Sequence, residues 1–78
     1  MFYIQVTIID VNGNHHSSFL DSVDEQGNLL TTNGIMDQAR VFDTEQEAET
    51  LITKMRTNDT FAASEKVKFT IIKRISVH

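Results

Sequence analysis

Only one segment of this chain carries helical periodicity, and its apolar side needs a cover that the rest of the sequence must supply. Ala48, Leu51, Ile52 and Met55 recur at i, i+3, i+4 and i+7, which places them in a single stripe. Thr44-Glu45-Gln46-Glu47 opens the segment as a capping box: the threonine hydroxyl can accept from the Glu47 amide while the glutamate reaches back. Asp43 is an alternative N-cap. Acids in the first turn and Lys54 and Arg56 in the last both oppose the helix dipole favourably. Asn58 is expected to end the helix in the left-handed conformation.

The cover is expected from strands. Phe2, Ile4, Val6 and Ile8 alternate with Tyr3, Gln5 and Thr7, so residues 2–9 read as a strand with one apolar face. Asn12-Gly13 follows, the pair favoured in a two-residue type I′ hairpin, and the chain is expected to reverse there. Residues 15–23 form the weaker returning strand, polar at His15-His16-Ser17-Ser18 and apolar at Phe19, Leu20 and Val23. Residues 24–28 are a turn by composition. Residues 29–32 make a short third strand, ended by Asn33-Gly34. Residues 35–39 fit either one helical turn or an irregular loop, and residues 40–42 lead into the helix. After a loop at 59–65 the last strand is expected over 66–77, with Val67, Phe69 and Ile71 on its apolar face. Continued alternation would bury Lys73 beside Ile75 and Val77, so a bulge near Ile72 is expected to reset the faces.

The expected fold is therefore α+β: an antiparallel sheet of three to four strands in the order β1-β2-β3-α-β4, with one amphipathic helix packed on one face. Residues 1–78 make a single domain with no internal repeat. At this length a core buries only about 60% of the unfolded surface, which makes stability marginal. Self-association along an exposed strand, as a homodimer, would relieve that margin.

Composition narrows the chemistry. There is no cysteine, which excludes disulfides, thiolate metal sites and thiol nucleophiles. The apolar runs are far shorter than the ~20 residues needed to span a bilayer, and the first ten residues lack a basic leader and a cleavage site. A cytoplasmic protein without membrane attachment is expected. Charge is unevenly divided. Residues 1–52 carry nine acids against Arg40 alone, and residues 53–78 carry six basic residues against two acids.

Ala39-Arg40-Val41-Phe42-Asp43-Thr44-Glu45-Gln46-Glu47-Ala48 resembles the A-x-x-F-x-T-x-x-E-A signature of small uncharacterised proteins of Gram-positive bacteria and their phages. The resemblance implies a hairpin leading through this phrase into a helix and a final strand. It brings no activity and no catalytic residue. The same F-x-T-x-x-E-A helix start is similar to that of the arm-binding domains of phage-type integrases, which present basic and aromatic side chains from a sheet to the DNA major groove. The acidic first half of this chain runs against that route.

No catalytic, cofactor or metal constellation emerges. His15 and His16 are adjacent, and adjacent residues of a strand point to opposite faces, so they do not chelate one ion together. Asp21, Asp24 and Glu25 beside Gly27 do not meet the ligand spacing of a calcium loop. The serines lie in no nucleophile setting, and no glycine-rich phosphate loop exists. Two charged surfaces are left. Lys54, Arg56, Lys66, Lys68 and Arg74 form the basic set, the candidate contact for nucleic acid or another partner. Asp21, Asp24, Glu25, Asp43, Glu45 and Glu49 form the acidic set, a candidate surface for a basic protein partner. The expectation is a small non-enzymatic protein-interaction or regulatory module, with an accessory nucleic-acid-binding protein as the alternative.

Overall fold

The computed structural model describes residues 1–75, and six elements follow in chain order: β1 (Phe2–Ile9), β2 (His15–Val23), β3 (Leu29–Asn33), a single 3-10 turn (Met36–Gln38), α1 (Glu45–Asn58) and β4 (Val67–Lys73). The four strands form one antiparallel sheet in the order β3-β2-β1-β4. The two strands with the clearest alternation therefore pair with each other: Ile4 lies opposite Ile71 and Val6 opposite Phe69.

The alternation determines which face the helix covers. Ile4, Val6, Ala48 and Met55 are fully buried and Val67 nearly so, with Phe2, Ile8, Leu51, Ile52, Phe69 and Ile71 packed around them. Leu20, Phe42 and Ala62 complete this core. Thr44 is the N-cap, its hydroxyl accepting from the Glu47 amide at 3.1 Å. Among the described hydrogen bonds the Glu47 side chain does not return the contact, so only half of the capping box is made. The helix end also departs from expectation. Asn58 is the last helical residue, and Asp59, with φ −109°, follows it in extended conformation. Asp59 makes a left-handed stop unnecessary because its carboxylate organises the exit: Oδ1 accepts from Phe61 N at 3.0 Å, and Oδ2 accepts from Leu29 N at 2.8 Å.

Both hairpin turns use one device. Asp10-Val11-Asn12-Gly13-Asn14 and Asp24-Glu25-Gln26-Gly27-Asn28 share the pattern D-x-x-G-N. In each, the glycine amide donates to the aspartate carbonyl, and the aspartate amide donates to the carbonyl of the final asparagine. Each aspartate Oδ1 also accepts from the backbone two and four residues on. Gly13 (φ +82°) and Gly27 (φ +91°) are the positive-φ residues, whereas Asn12 is not among them. The first turn is therefore a type I turn closed by a glycine bulge rather than the expected type I′ turn. The chain does contain a repeated unit, short and confined to its turns.

The two glycines differ in what surrounds them. A Cβ at Gly13 would meet open space, while one at Gly27 would come within 2.8 Å of Lys54 Cγ. Gly13→Ala is expected to cost about 1–2 kcal/mol for the left-handed conformation alone. Gly27→Ala is expected to cost more, because it also displaces Lys54 from the Glu25 carbonyl, to which Nζ donates at 2.9 Å. Urea unfolding of both variants tests the ranking, and equal losses would contradict it.

Between β3 and α1 the chain crosses from β2 to the start of β1. The Arg40 amide donates to the Leu20 carbonyl at 3.0 Å, and Phe2 and Phe42 exchange backbone hydrogen bonds at 2.9 and 2.8 Å. Residues 40–42 thus lie extended between the start of β1 and the end of β2, where β2–β3 pairing is also irregular. Before this crossing, Asp37 pairs with Arg74, which ties the 3-10 turn to the chain just past β4. Tyr3, opposite Ile72 on the face away from the helix, is only 5% exposed. The alternation alone places Tyr3 in solvent.

The expected bulge near Ile72 does not occur. β1–β4 pairing runs without a shift from Ile8↔Val67 to Phe2↔Lys73. Lys73 nominally shares the helix-facing side, yet it sits at the strand's last position on the sheet edge, where its long side chain reaches water. Ile75 is exposed rather than buried. The strand stops at Lys73, and the expected continuation through Ser76 and Val77 lies outside the described residues.

Candidate interaction surface

The five basic candidates do not share one surface. Arg56 lies over the Phe69 ring at 5.0 Å and donates to the Ala62 and Val67 carbonyls at 3.4 Å, fastening α1 to β4 on the helix side. Lys54 clips the β2–β3 turn through Glu25 O. Arg74 is paired with Asp37. Lys66 and Lys68 are exposed and form no ion pair among the described residues. Lys68 lies opposite Thr7, on the face away from the helix.

The acidic candidates also divide. Asp24 is the organising residue of a turn, and its carboxyl is held below the ordinary value by the Asn28 side chain first and then by the Asn28, Gln26 and Gly27 amides. Glu25 serves through its carbonyl. Asp21 is half-buried at the irregular part of β2. Asp43, Glu45 and Glu49 differ from these. They are exposed around the first half of α1 and have no ion-pair partner among the described residues.

Beside these helix acids runs a shallow groove of about 360 Å³ lined by Arg40, Phe42, Gln46, Glu47, Thr50, Leu51 and Lys54. Phe42 and Leu51 supply its apolar part, and Arg40, held over the Phe42 ring at 5.3 Å, borders it. The spacing of Gln46, Glu47, Thr50, Leu51 and Lys54 marks one side of the helix, but the opposing wall comes from the crossing segment. That wall has no signature in a local pattern.

The histidines separate as alternation requires. His16 Nε2 lies 2.9 Å from Asp10 Oδ2, while His15 is exposed at the adjacent position. Among the described residues no group of three His, Asp or Glu side chains comes together around a potential metal position. The His16 contact is the largest cause lowering the Asp10 carboxyl from 3.8 to about 2, followed by the Asn14 amide. Because the folded value is depressed, these contacts stabilise the fold fully above pH ~4. Their contribution is lost as pH falls through about 2. His16→Ala is expected to move the Asp10 titration back toward 3.8, read from carboxyl carbon shifts. An unchanged midpoint would remove His16 as the cause.

The fold and this surface define an α+β domain in which one helix, flanked by exposed acids and a groove, lies on a four-stranded antiparallel sheet. No helix among the described residues is long and apolar enough to cross a membrane. Comparison with protein-family models, curated proteins and solved structures finds no match.

Proposed function

We propose that this chain is a small non-enzymatic protein-interaction or regulatory module of bacterial or phage type, acting in the cytoplasm through the acidic first half of α1. One observation carries the reading: Lys54, Arg56 and Arg74 are engaged within the fold, whereas Asp43, Glu45 and Glu49 present negative charge to solvent. Charge arranged in this way steers and orients a basic protein surface. The groove beside it offers Phe42 and Leu51 to an apolar side chain of the same partner. The test compares capture from a bacterial lysate by the native chain and by the D43N/E45Q/E49Q variant, with circular dichroism to verify that the variant folds. A protein retained by the native chain and lost by the folded variant supports the reading. Equal retention by both, or none by either at moderate salt, overturns it.

Nucleic-acid binding is the second reading, favoured by the exposed Lys66 and Lys68 at one edge of the sheet. Even with Lys73 at the same edge, three lysines neutralise few phosphates, so affinity is expected to be low with a shallow salt slope. Gel-shift titration across salt decides it, and no retardation at low salt ends it.

A further inference from the structure

The two free edges of the sheet are chemically unequal. β4 carries Lys68 and Lys73 within the strand, with Lys66 before it and Arg74 after it. Charged side chains of this kind are the usual protection of a sheet edge against pairing with another chain. β3 lacks these charges and is guarded only by its shortness, by the bulge at Leu30 where its pairing with β2 shifts, and by the Asp59 carboxylate on its first amide. Its sequence, Leu29-Leu30-Thr31-Thr32-Asn33, contains no charge, and the chain has no proline. Leu30, Thr31 and Thr32 are exposed, Leu30 at 59%, and Ile35 just beyond the strand is 55% exposed.

We infer that β3 is a self-association edge, through which two copies of this chain pair antiparallel about a two-fold axis and join their sheets into one of eight strands. Charge selects the occupant. With the Leu29 amide taken by Asp59, the free part of the edge is residues 30–33, which can face a second copy of itself without opposing like charges, and threonine pairs across strands are favourable. β4 against β4 would set lysines against lysines. β3 against β4 is a head-to-tail contact that leaves a free edge at each end and does not close. A five-residue edge with Leu30 and Ile35 at its margin is small beside the ~800 Å² per partner of a standard interface. The dimer is therefore expected to be weak, with Kd on the order of micromolar. This edge is separate from the acidic helix surface, so either can fail alone.

Sedimentation velocity on the purified chain, from about 1 µM to about 500 µM to bracket that Kd, reads the association directly. The native chain is expected to pass from monomer to dimer as concentration rises. Leu30→Lys, and Thr32→Lys as a second variant, each place a charge on the edge and are expected to stay monomeric with an unchanged far-ultraviolet spectrum. Lys68→Thr, on the other edge, is expected to dimerise like the native chain. A native chain that is monomeric throughout, a dimer that survives both lysine variants, or growth into longer assemblies as β3–β4 pairing would give, overturns the proposal.

Discussion

Met55→Ala is expected to remove roughly 2–5 kcal/mol of folding stability, the range for truncating a buried large side chain. Met55 is fully buried near the C-terminal end of the helix stripe, among the largest side chains with no exposure. Truncation removes transferred apolar surface and leaves a cavity between the helix and the sheet. A domain of this length has little reserve, since net stabilities of whole domains are only about 5–15 kcal/mol. The variant is therefore expected to be partly unfolded at 37 °C. Denaturant unfolding followed by circular dichroism measures the loss, and a loss below about 1 kcal/mol would show that the helix does not depend on this contact.

Asp59→Ala has the next largest expected effect, roughly 2–3 kcal/mol, in line with hydrogen bonds made to a charged acceptor. The residue ends α1, holds the following loop at Phe61 and anchors the first amide of β3. Its loss unfastens the β2–β3 hairpin from the helix, leaving the Lys54–Glu25 contact as the other described hydrogen bond between them. Asp59→Asn keeps one carbonyl acceptor and is expected to lose less. Hydrogen exchange locates the damage: the Leu29 amide should exchange faster, while β1 and β4 amides change only with global stability. Uniform acceleration across the sheet would argue against a local anchoring role.

Much of this architecture is legible in residue order because each element repeats one simple rule. Phe2, Ile4, Val6 and Ile8 alternate, Val67, Phe69 and Ile71 alternate, and Ala48, Leu51, Ile52 and Met55 follow helical spacing, so the layers and their facing sides can be read directly. The departures arise where a side chain acts on distant backbone. Asp59 ends the helix through Leu29, thirty residues away, and nothing beside Asn58 announces this. Asn12-Gly13 reads as a type I′ pair when taken alone. The governing residue is Asp10, whose carboxylate organises a longer turn, and the second copy at Asp24 to Asn28 is the signal that identifies it. The bulge expected near Ile72 assumed that a lysine in register with the core must be buried, but a strand end leaves it a path to water. Neither charged set could be resolved from sequence, because Lys54, Arg56 and Arg74 find their partners through tertiary contacts. The groove likewise needs the crossing of residues 40–42, which no local periodicity encodes.

That β1 has β2 on one flank and β4 on the other constrains when the molecule can become whole. The meander from β1 to β3 joins neighbours in sequence, and such pairings form early because little chain entropy is lost in closing them. The other flank of β1 must wait for residues near the far end, where Phe2 meets Lys73 and Arg74 N donates to Met1 O at 2.9 Å. During synthesis, Ile4 and Val6 leave the ribosome well before β4 does, and they gain their full enclosure only when it arrives. A nascent chain halted before β4 would keep an open greasy strand, the state most in need of a chaperone.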